Sequence, residues 1–565
     1  MGQRRFVVEL IKPSHYDDDG YVIQWAKSWI PSNSLACLYA LAQDIAARRL
    51  LGADVDIEIN AYDECHTVIP VKKIARRIAA ADAGLVCLVG VQSNQFPRAV
   101  ELARQFRAAG VQVAMGGFHV SGCLAMLPEL PPDIAAARDM GIGLFAGEAE
   151  GRLHEVFADA LAGQLKPIYN YMNDLPGLQQ AVTPILPIEI VKKYSETLGA
   201  FDAGRGCPFQ CSFCTIINVQ GRKSRWRDAD DIEALVRANL AQGIYRFFIT
   251  DDNFARNRNW EAIFDRLIEM RENEGLTLNF IIQVDTLCHR IPNFVEKAAR
   301  AGCARVFVGL ENINPDNLLA AKKKQNRVHE YRQMFLEWRE HRVITYAGYI
   351  LGFPNDTPER VARDIRTVQE ELPIDLLEFF ILTPLPGSAD HKQLDATGVW
   401  MDPDMNKYDL EHVTTGHATM SSAEWQALYR RAFDLYYSPE HIERLLRRAK
   451  ASGIKPVRLV NHVLQFYFTF RQEKVHPLQG GFFRRKLRRQ RRPGLPIESP
   501  LVFYPWRVWE VAATHVNLVR YYLFLHRLRK KVERDTAPYV DRALIMPEQG
   551  EEDAFATAPV KKVAA

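Results

Sequence analysis

A chain of 565 residues is too long for one ordinary domain and has room for two to four. With 47% hydrophobic and 25% charged residues it has the composition of a globular protein, which excludes a fibrous or wholly disordered chain. A formal charge of +4 is small for this length, so bulk charge implies no polyanionic partner, and no nucleic acid is expected.

The start, "MGQRRFVVELIKPSHY", is basic but has no uninterrupted apolar stretch. It is not read as a signal peptide, and "FVVELI" reads as a first buried strand. No run of about eighteen apolar residues without charge occurs, so no transmembrane helix is expected and the location is read as cytoplasmic. From 55 to 165 short apolar strands alternate with amphipathic helices. "VDIEI" (55–59) precedes a helix near 70–81, and "GLVCLVGV" (84–91) precedes a helix near 97–109. "VQVAMGG" (111–117), "IGLFAG" (142–147) and a helix from about Glu150 follow. This pattern predicts a Rossmann-like, doubly wound α/β domain over 1–165, with ligands outside the strands' carboxyl ends at "VGVQSN", "GGFHVSG" and "AGEAEG".

Residues 166–195, with prolines at 167, 176, 184 and 187, read as a linker. A second alternating series follows: "AFDAGRG" (200–206), "YRFFIT" (245–250), "LNFIIQV" (278–284), "RVFVGLE" (305–311), "ITYAGYILGF" (344–353) and "DLLEFFILT" (375–383). Six strand–helix units predict a partial (β/α)6 barrel of the TIM type over 196–395, with chemistry at the carboxyl ends of its strands. Residues 396–540 read as a mainly helical region rich in Arg and aromatics. It carries "GGFFRRKLRRQRRPG" (480–494) and a long aromatic helix over 506–532. The last residues, 541–565, read as a disordered tail.

Six of the nine cysteines (Cys37, Cys65, Cys87, Cys123, Cys288, Cys303) are scattered in apolar surroundings, as buried thiols are in a reducing cytoplasm. The other three, Cys207, Cys211 and Cys214, crowd into "GRGCPFQCSFCTI" on the loop after the second series' first strand. A structural zinc site normally takes four ligands, and no second knuckle exists here. Three thiolates on one tight loop suit three corners of a 4Fe–4S cluster, with the fourth iron open.

The CxxxCxxC spacing, with Phe213 before the last cysteine, strongly resembles the signature of the radical S-adenosylmethionine (SAM) superfamily. Further stretches agree in order along the barrel. By that resemblance "FFITDDNF" (247–254) offers Asp251, Asp252 and Asn253 to the methionyl amino group of SAM. Gln283 at the end of the next strand, Glu311 in "VGLEN" and Gly352 in "YILGFPNDT" complete the implied SAM contacts. The resemblance implies reductive cleavage of SAM to a 5′-deoxyadenosyl radical, with electrons from an external donor.

"MGGFHVSG" followed by "AGEAEGRLHEVF" looks like the cobalamin-binding branch of that superfamily. It implies cobalamin against Gln92, Ser93, Gly116, Gly117, His119, Gly147 and Glu148. The branch's Asp-x-His-x-x-Gly element is not matched by "NAYDECHTVIP", where Asp63, Cys65 and His66 stand, so no cobalt ligand is assigned; no catalytic proton donor or acceptor is assigned either. The activity implied is methylation of an unactivated carbon of a small molecule. Radical cyclisation or rearrangement is the alternative enzyme, and a degenerate membrane-surface protein with a structural cluster is the alternative from another class. Aromatics interleaved with the basic run 484–492 predict peripheral attachment to the inner membrane face and a lipid or isoprenoid substrate.

Overall fold

The computed structural model describes residues 3–546. The apolar runs of the first 170 residues do form a parallel sheet. In chain order the strands are β1 (Arg4–Lys12), β2 (Gln24–Ser28), β3 (Val55–Asp63), β4 (Ala83–Leu88), β5 (Gln112–Gly116), β6 (Ile142–Ala146) and β7 (Ile168–Asn170). All but β2 join one sheet of order β3-β1-β4-β5-β6-β7, parallel throughout. Along β1, Phe6, Val8 and Leu10 face one apolar core and Val7 and Ile11 the other. A strand buried on both faces has no polar side to show, which is why these runs are continuously apolar. β7 lies inside the expected linker. Three residues suffice for it because Leu144, Phe145 and Ala146 of β6 offer an open edge.

The second series forms β8 (Leu198–Phe201), β9 (Gly204–Arg205), β10 (Arg225–Trp226), β11 (Arg246–Ile249), β12 (Asn279–Val284), β13 (Cys303–Glu311), β14 (Ile344–Leu351) and β15 (Leu376–Ile381). Its sheet, β15-β14-β13-β12-β11-β8, is parallel, runs in chain order, and has a helix after each strand. The single strand expected over 200–206 is broken. β9 leaves the sheet and pairs antiparallel with β10. The cause is Asp251, whose Oδ1 accepts from the amides of Ala203 at 2.7 Å and Gly204 at 2.9 Å and turns the chain outward.

After the barrel-like series come the helices Ser422–Tyr436, Pro439–Ala451 and Pro456–Val463, the last running on as a π-helix, Leu464–Glu473. Phe433 and Phe470 stack at 3.8 Å between them. One core cluster runs from Phe6 through the second sheet to Phe433 and Val532, so the regions are fused rather than strung on a linker.

Two segments at the carboxyl side are more tightly held than the sequence suggests. The basic run is largely engaged within the protein: Arg484 is paired with Asp17 (2.8 Å), Lys486 with Asp19 and Glu510 (3.2 Å each), and Arg492 with Asp404 (2.7 Å). Its first two residues, Arg484 and Arg485, end β16 (Gly481–Arg485), which pairs antiparallel with β2. Residues 541–546 are not a loose tail either. Asp541 is paired with buried Arg448 at 2.8 Å, and a 3-10 turn spans Arg542–Leu544. The remainder of the expected tail, 547–565, lies outside the described residues. Among the described residues no helix is long and apolar enough to cross a membrane.

Candidate active site

The three clustered cysteines sit on the loop that β9 delivers to the carboxyl end of the second sheet. Gly206 opens this loop at φ +90°, where a Cβ would lie 2.5 Å from the Lys223 carbonyl, so only glycine fits. The Cys207 amide donates to Gly221 O at 3.2 Å, and the Ser212 amide donates to Ala321 O at 3.0 Å. Gln325 Nε2 donates to Cys211 Sγ at 3.4 Å. Burial pushes the Cys214 thiol up to about 12. Among the described residues no three His, Cys, Asp or Glu side chains converge on one ion. A 4Fe–4S cluster places each thiolate on a different iron, so three separated thiols on one loop fit it where a single-ion site would not.

The residues expected around SAM divide into those left open and those already engaged. Asp251 is engaged: it grips Ala203 and Gly204 and accepts from Asn257 Nδ2 at 2.9 Å. Asn253 is held by Asp285 through Nδ2 at 2.9 Å, and Arg256 clamps the same carboxylate through two bonds. Asp252 is the open member. It lies beside the thiols of Cys207 and Cys214, and burial together with the Asp251 charge raises it to about 7. Gln283 is half-buried and donates to the Asp251 carbonyl at 3.3 Å. Glu311 has φ +62°, a conformation that non-glycine residues take under constraint, and is paired with Lys323. Gly352 is compelled by packing, because a Cβ there would lie 1.8 Å from the Trp425 ring.

Lys323 and Gln325 belong to the site, and sequence reading missed them. The Lys323 ammonium donates to Gly309 O at 3.1 Å and stands 5.8 Å over the Phe213 ring. The run "AAKKKQN" (320–326) is the only hint: three lysines, of which Lys323 is buried. On the inward face of β15, Glu378 is fully buried with both carboxylate oxygens unpartnered among the described residues, and burial raises it to about 8.

Facing this loop, the carboxyl ends of the front sheet open into a cavity of about 170 Å3. Gly116, Gly117, Gly147 and Glu148 line it as expected, joined by Gly90 and Ser121. Gly117 has φ +149°, and a Cβ there would lie 2.2 Å from the Val91 amide, so only glycine fits and bare backbone forms the floor. Gln92, Ser93 and His119 do not line it. His119 is buried with both ring nitrogens engaged, by Ser93 Oγ and by Asp133 Oδ2 at 3.1 Å each, and it faces a second cavity beside His391. Asp63, Cys65 and His66 are also elsewhere: Asp63 accepts from Tyr194 OH at 2.8 Å, and the His66 ring packs on Tyr194. Among the described residues no histidine lines the glycine-floored cavity.

Arg205, Val219 and Gln220, which flank the cysteine loop, form the cavity's opposite wall. Arg205 binds Glu148 and Glu150 at 2.6 Å each and Asp202 at 3.1 Å, all buried. Arg225 adds a second pair to Glu148. The carboxylate of Glu148 is therefore spent on joining the two sheets. Farther along, Gly122 meets the backbone of Pro386 and Gly387, where a Cβ would lie 2.5 Å from Pro386 O.

Residues 203–368 match the profile of the Radical SAM superfamily, and the chain carries a radical SAM domain there. It is 27% identical over 325 residues to a bacteriochlorophyllide d C-12(1)-methyltransferase of Chlorobaculum tepidum, covering 56% of this chain and 66% of that protein. It is 23% identical over 367 residues to the hopanoid C-2 methylase of Rhodopseudomonas palustris, covering 64% and 65%. The chain thus spans about two thirds of the length of these relatives. Its fold is similar to that of the radical SAM methyltransferase TsrM of Kitasatospora setae, solved with cobalamin and a [4Fe-4S] cluster. That match has a TM-score of 0.53 and 16% identity, over 71% of this chain and 80% of that one.

Proposed function

We propose that this chain, through its radical SAM domain, methylates an unactivated carbon of a small, lipophilic molecule, using a 4Fe–4S cluster, SAM and cobalamin. One observation supports this most: the glycine-floored cavity of the front sheet shares a wall with the segment that carries the cysteines. A methyl-carrying cofactor and a radical-generating one must both reach a single substrate carbon, and this arrangement puts their expected seats side by side. In this reading 1–170 is a Rossmann-like cobalamin module, 196–395 a partial (β/α)6 barrel, and the remainder a helical cap.

Cys207, Cys211 and Cys214 would hold the cluster. Asp252 is the group left open for SAM, Gln283 and Glu311 would reach it by giving up the Asp251 carbonyl and Lys323, and Asp251 and Asn253 keep the loop in place behind them. Gly116, Gly117 and Gly147 would let a corrin face approach the backbone. When bound, these cofactors supply one-electron cleavage of SAM and transfer of a methyl group. The protein's own part is to position, to exclude water and to keep the two seats in register through Arg205. The electron donor is external. The names of the two relatives support methyl transfer and a lipophilic substrate, and the reading includes a peripheral seat on the cytoplasmic membrane face.

The test is anaerobic reconstitution with iron, sulfide, cobalamin and SAM. About four irons and one corrinoid per chain are expected, without threefold nitrogen splitting of the Co(II) resonance. Cell extract should yield 5′-deoxyadenosine, S-adenosylhomocysteine and a product heavier by one methylene. Deoxyadenosine without S-adenosylhomocysteine would instead assign cyclisation or rearrangement.

A further inference from the structure

The helix Pro500–Arg534 is 35 residues long, about 52 Å at 1.5 Å per residue, yet buries only Phe503, Leu525 and Val532. At 100° per residue these three fall on one side, together with Glu510, which is bound to Lys486. The opposite side carries Leu501, Val508, Val516, Val519 and Leu523 in one stripe, with Trp509 beside it. Leu501 is 86% exposed, Val508 70% and Trp509 68%. This apolar stripe on the outward face of a long helix covers nothing among the described residues.

Charge decides what fits it. In its last third the same outward face carries Arg520, Arg527 and Lys530, exposed and without an ion pair or hydrogen bond among the described residues. The helix's two acids are already engaged, Glu510 by Lys486 and Arg507 and Glu533 by Arg529. A second copy fits badly. An antiparallel twofold pairing would press each cationic third onto its partner's apolar third, and a parallel pairing would set cation against cation. A bilayer with anionic headgroups satisfies both halves, taking the stripe and Trp509 at the acyl boundary and the cations at phosphate.

We infer that the outward face of the helix Pro500–Arg534, rather than the basic run 484–492, docks this protein on an anionic membrane surface. The inference rests on the proposed membrane seat but not on the reaction. The fully reconstituted chain is floated with vesicles of phosphatidylcholine alone and of phosphatidylcholine mixed with phosphatidylglycerol. Binding is expected with the mixed vesicles and should weaken with salt. Arg520→Gln/Arg527→Gln/Lys530→Gln should weaken it on the order of a hundredfold, and Val508→Gln/Trp509→Gln/Val516→Gln should abolish it. Circular dichroism and SAM cleavage should be unchanged in both variants. Flotation of either variant like the parent, or no flotation of the parent, overturns the inference. So does light scattering that finds a dimer dissolved by the Val508/Trp509/Val516 variant, which would make a second copy the occupant. Loss of methylation with binding intact would strike the proposed reaction alone.

Discussion

The two parallel sheets meet across one cavity and treat their polar groups in opposite ways. At the carboxyl ends of the front sheet the conspicuous polar side chains are satisfied from within: His119 by Ser93 and Asp133, Glu148 by Arg205 and Arg225. What faces the cavity is backbone. At the second sheet groups stay under tension: Asp252 is raised to about 7 beside the thiols, and Glu378 is buried with no partner among the described residues. A surface that must accept a large preformed group does best with bare backbone. A surface that must bind charged groups does best with side chains kept unsatisfied until the ligand arrives.

The largest effect expected is at the tense side. Replacing Cys207, Cys211 and Cys214 together by Ala should remove bound iron and all 5′-deoxyadenosine, as read by iron assay and chromatography, while corrinoid binding to the front cavity persists. Loss of both would break the division between the two sheets. Next is the joint between them. Arg205→Met strands Glu150 in the interior and takes one of two ion pairs from Glu148 and from Asp202, which keep Arg225 and Arg227, and denaturant unfolding should show a loss of about 3–5 kcal/mol. Arg205→Lys should restore little, since a single ammonium cannot serve several carboxylates in a fixed fork.

A smaller effect concerns pH. Burial raises Glu378 to about 8, above its unfolded value of 4.5, so the folded state binds more protons between those two pH values. The contribution of Glu378 to stability is therefore most favourable below about 4.5 and is lost as pH rises to about 8. Glu378→Gln should remove up to about 1.4 kcal/mol per pH unit of that slope, measured by unfolding across the range. Identical slopes in the two proteins would mean that Glu378 is satisfied after all. The smallest effect tests the Gln325–Cys211 contact. Gln325→Leu removes one N–H···S bond, which should make the reconstituted cluster harder to reduce at unchanged iron content, as read by potentiometry.

Most of the strands were legible because burial on both faces leaves no residue free to be polar; Leu85 to Leu88 can hardly be anything else. The cysteine triplet is legible because it is local, with three thiols within eight residues. What stayed hidden depends on partners far along the chain. Asp251 looks like a ligand for SAM until Ala203 and Gly204 are seen to claim it. Seven basic residues within 484–492 look solvated until Asp17, Asp19 and Asp404 are brought to them. Periodicity tells which face of an element is apolar, but it does not tell which distant carboxylate will arrive at the other face.

The pairing of β2 with β16 also imposes an order of events on synthesis. β2 emerges with the first thirty residues, yet Gly481 to Arg485, its hydrogen-bonding neighbours, are made some 450 residues later. At about 5–20 residues per second that interval is roughly twenty to ninety seconds. Throughout it Trp25 lacks Arg484 over its ring, and Ile23 lacks Val475. For that time the nascent protein displays an open strand edge beside an uncovered tryptophan, the kind of surface chaperones hold and aggregates recruit. A chain stopped at residue 480 would carry that liability permanently, with every cysteine, glycine and carboxylate of the active site in place.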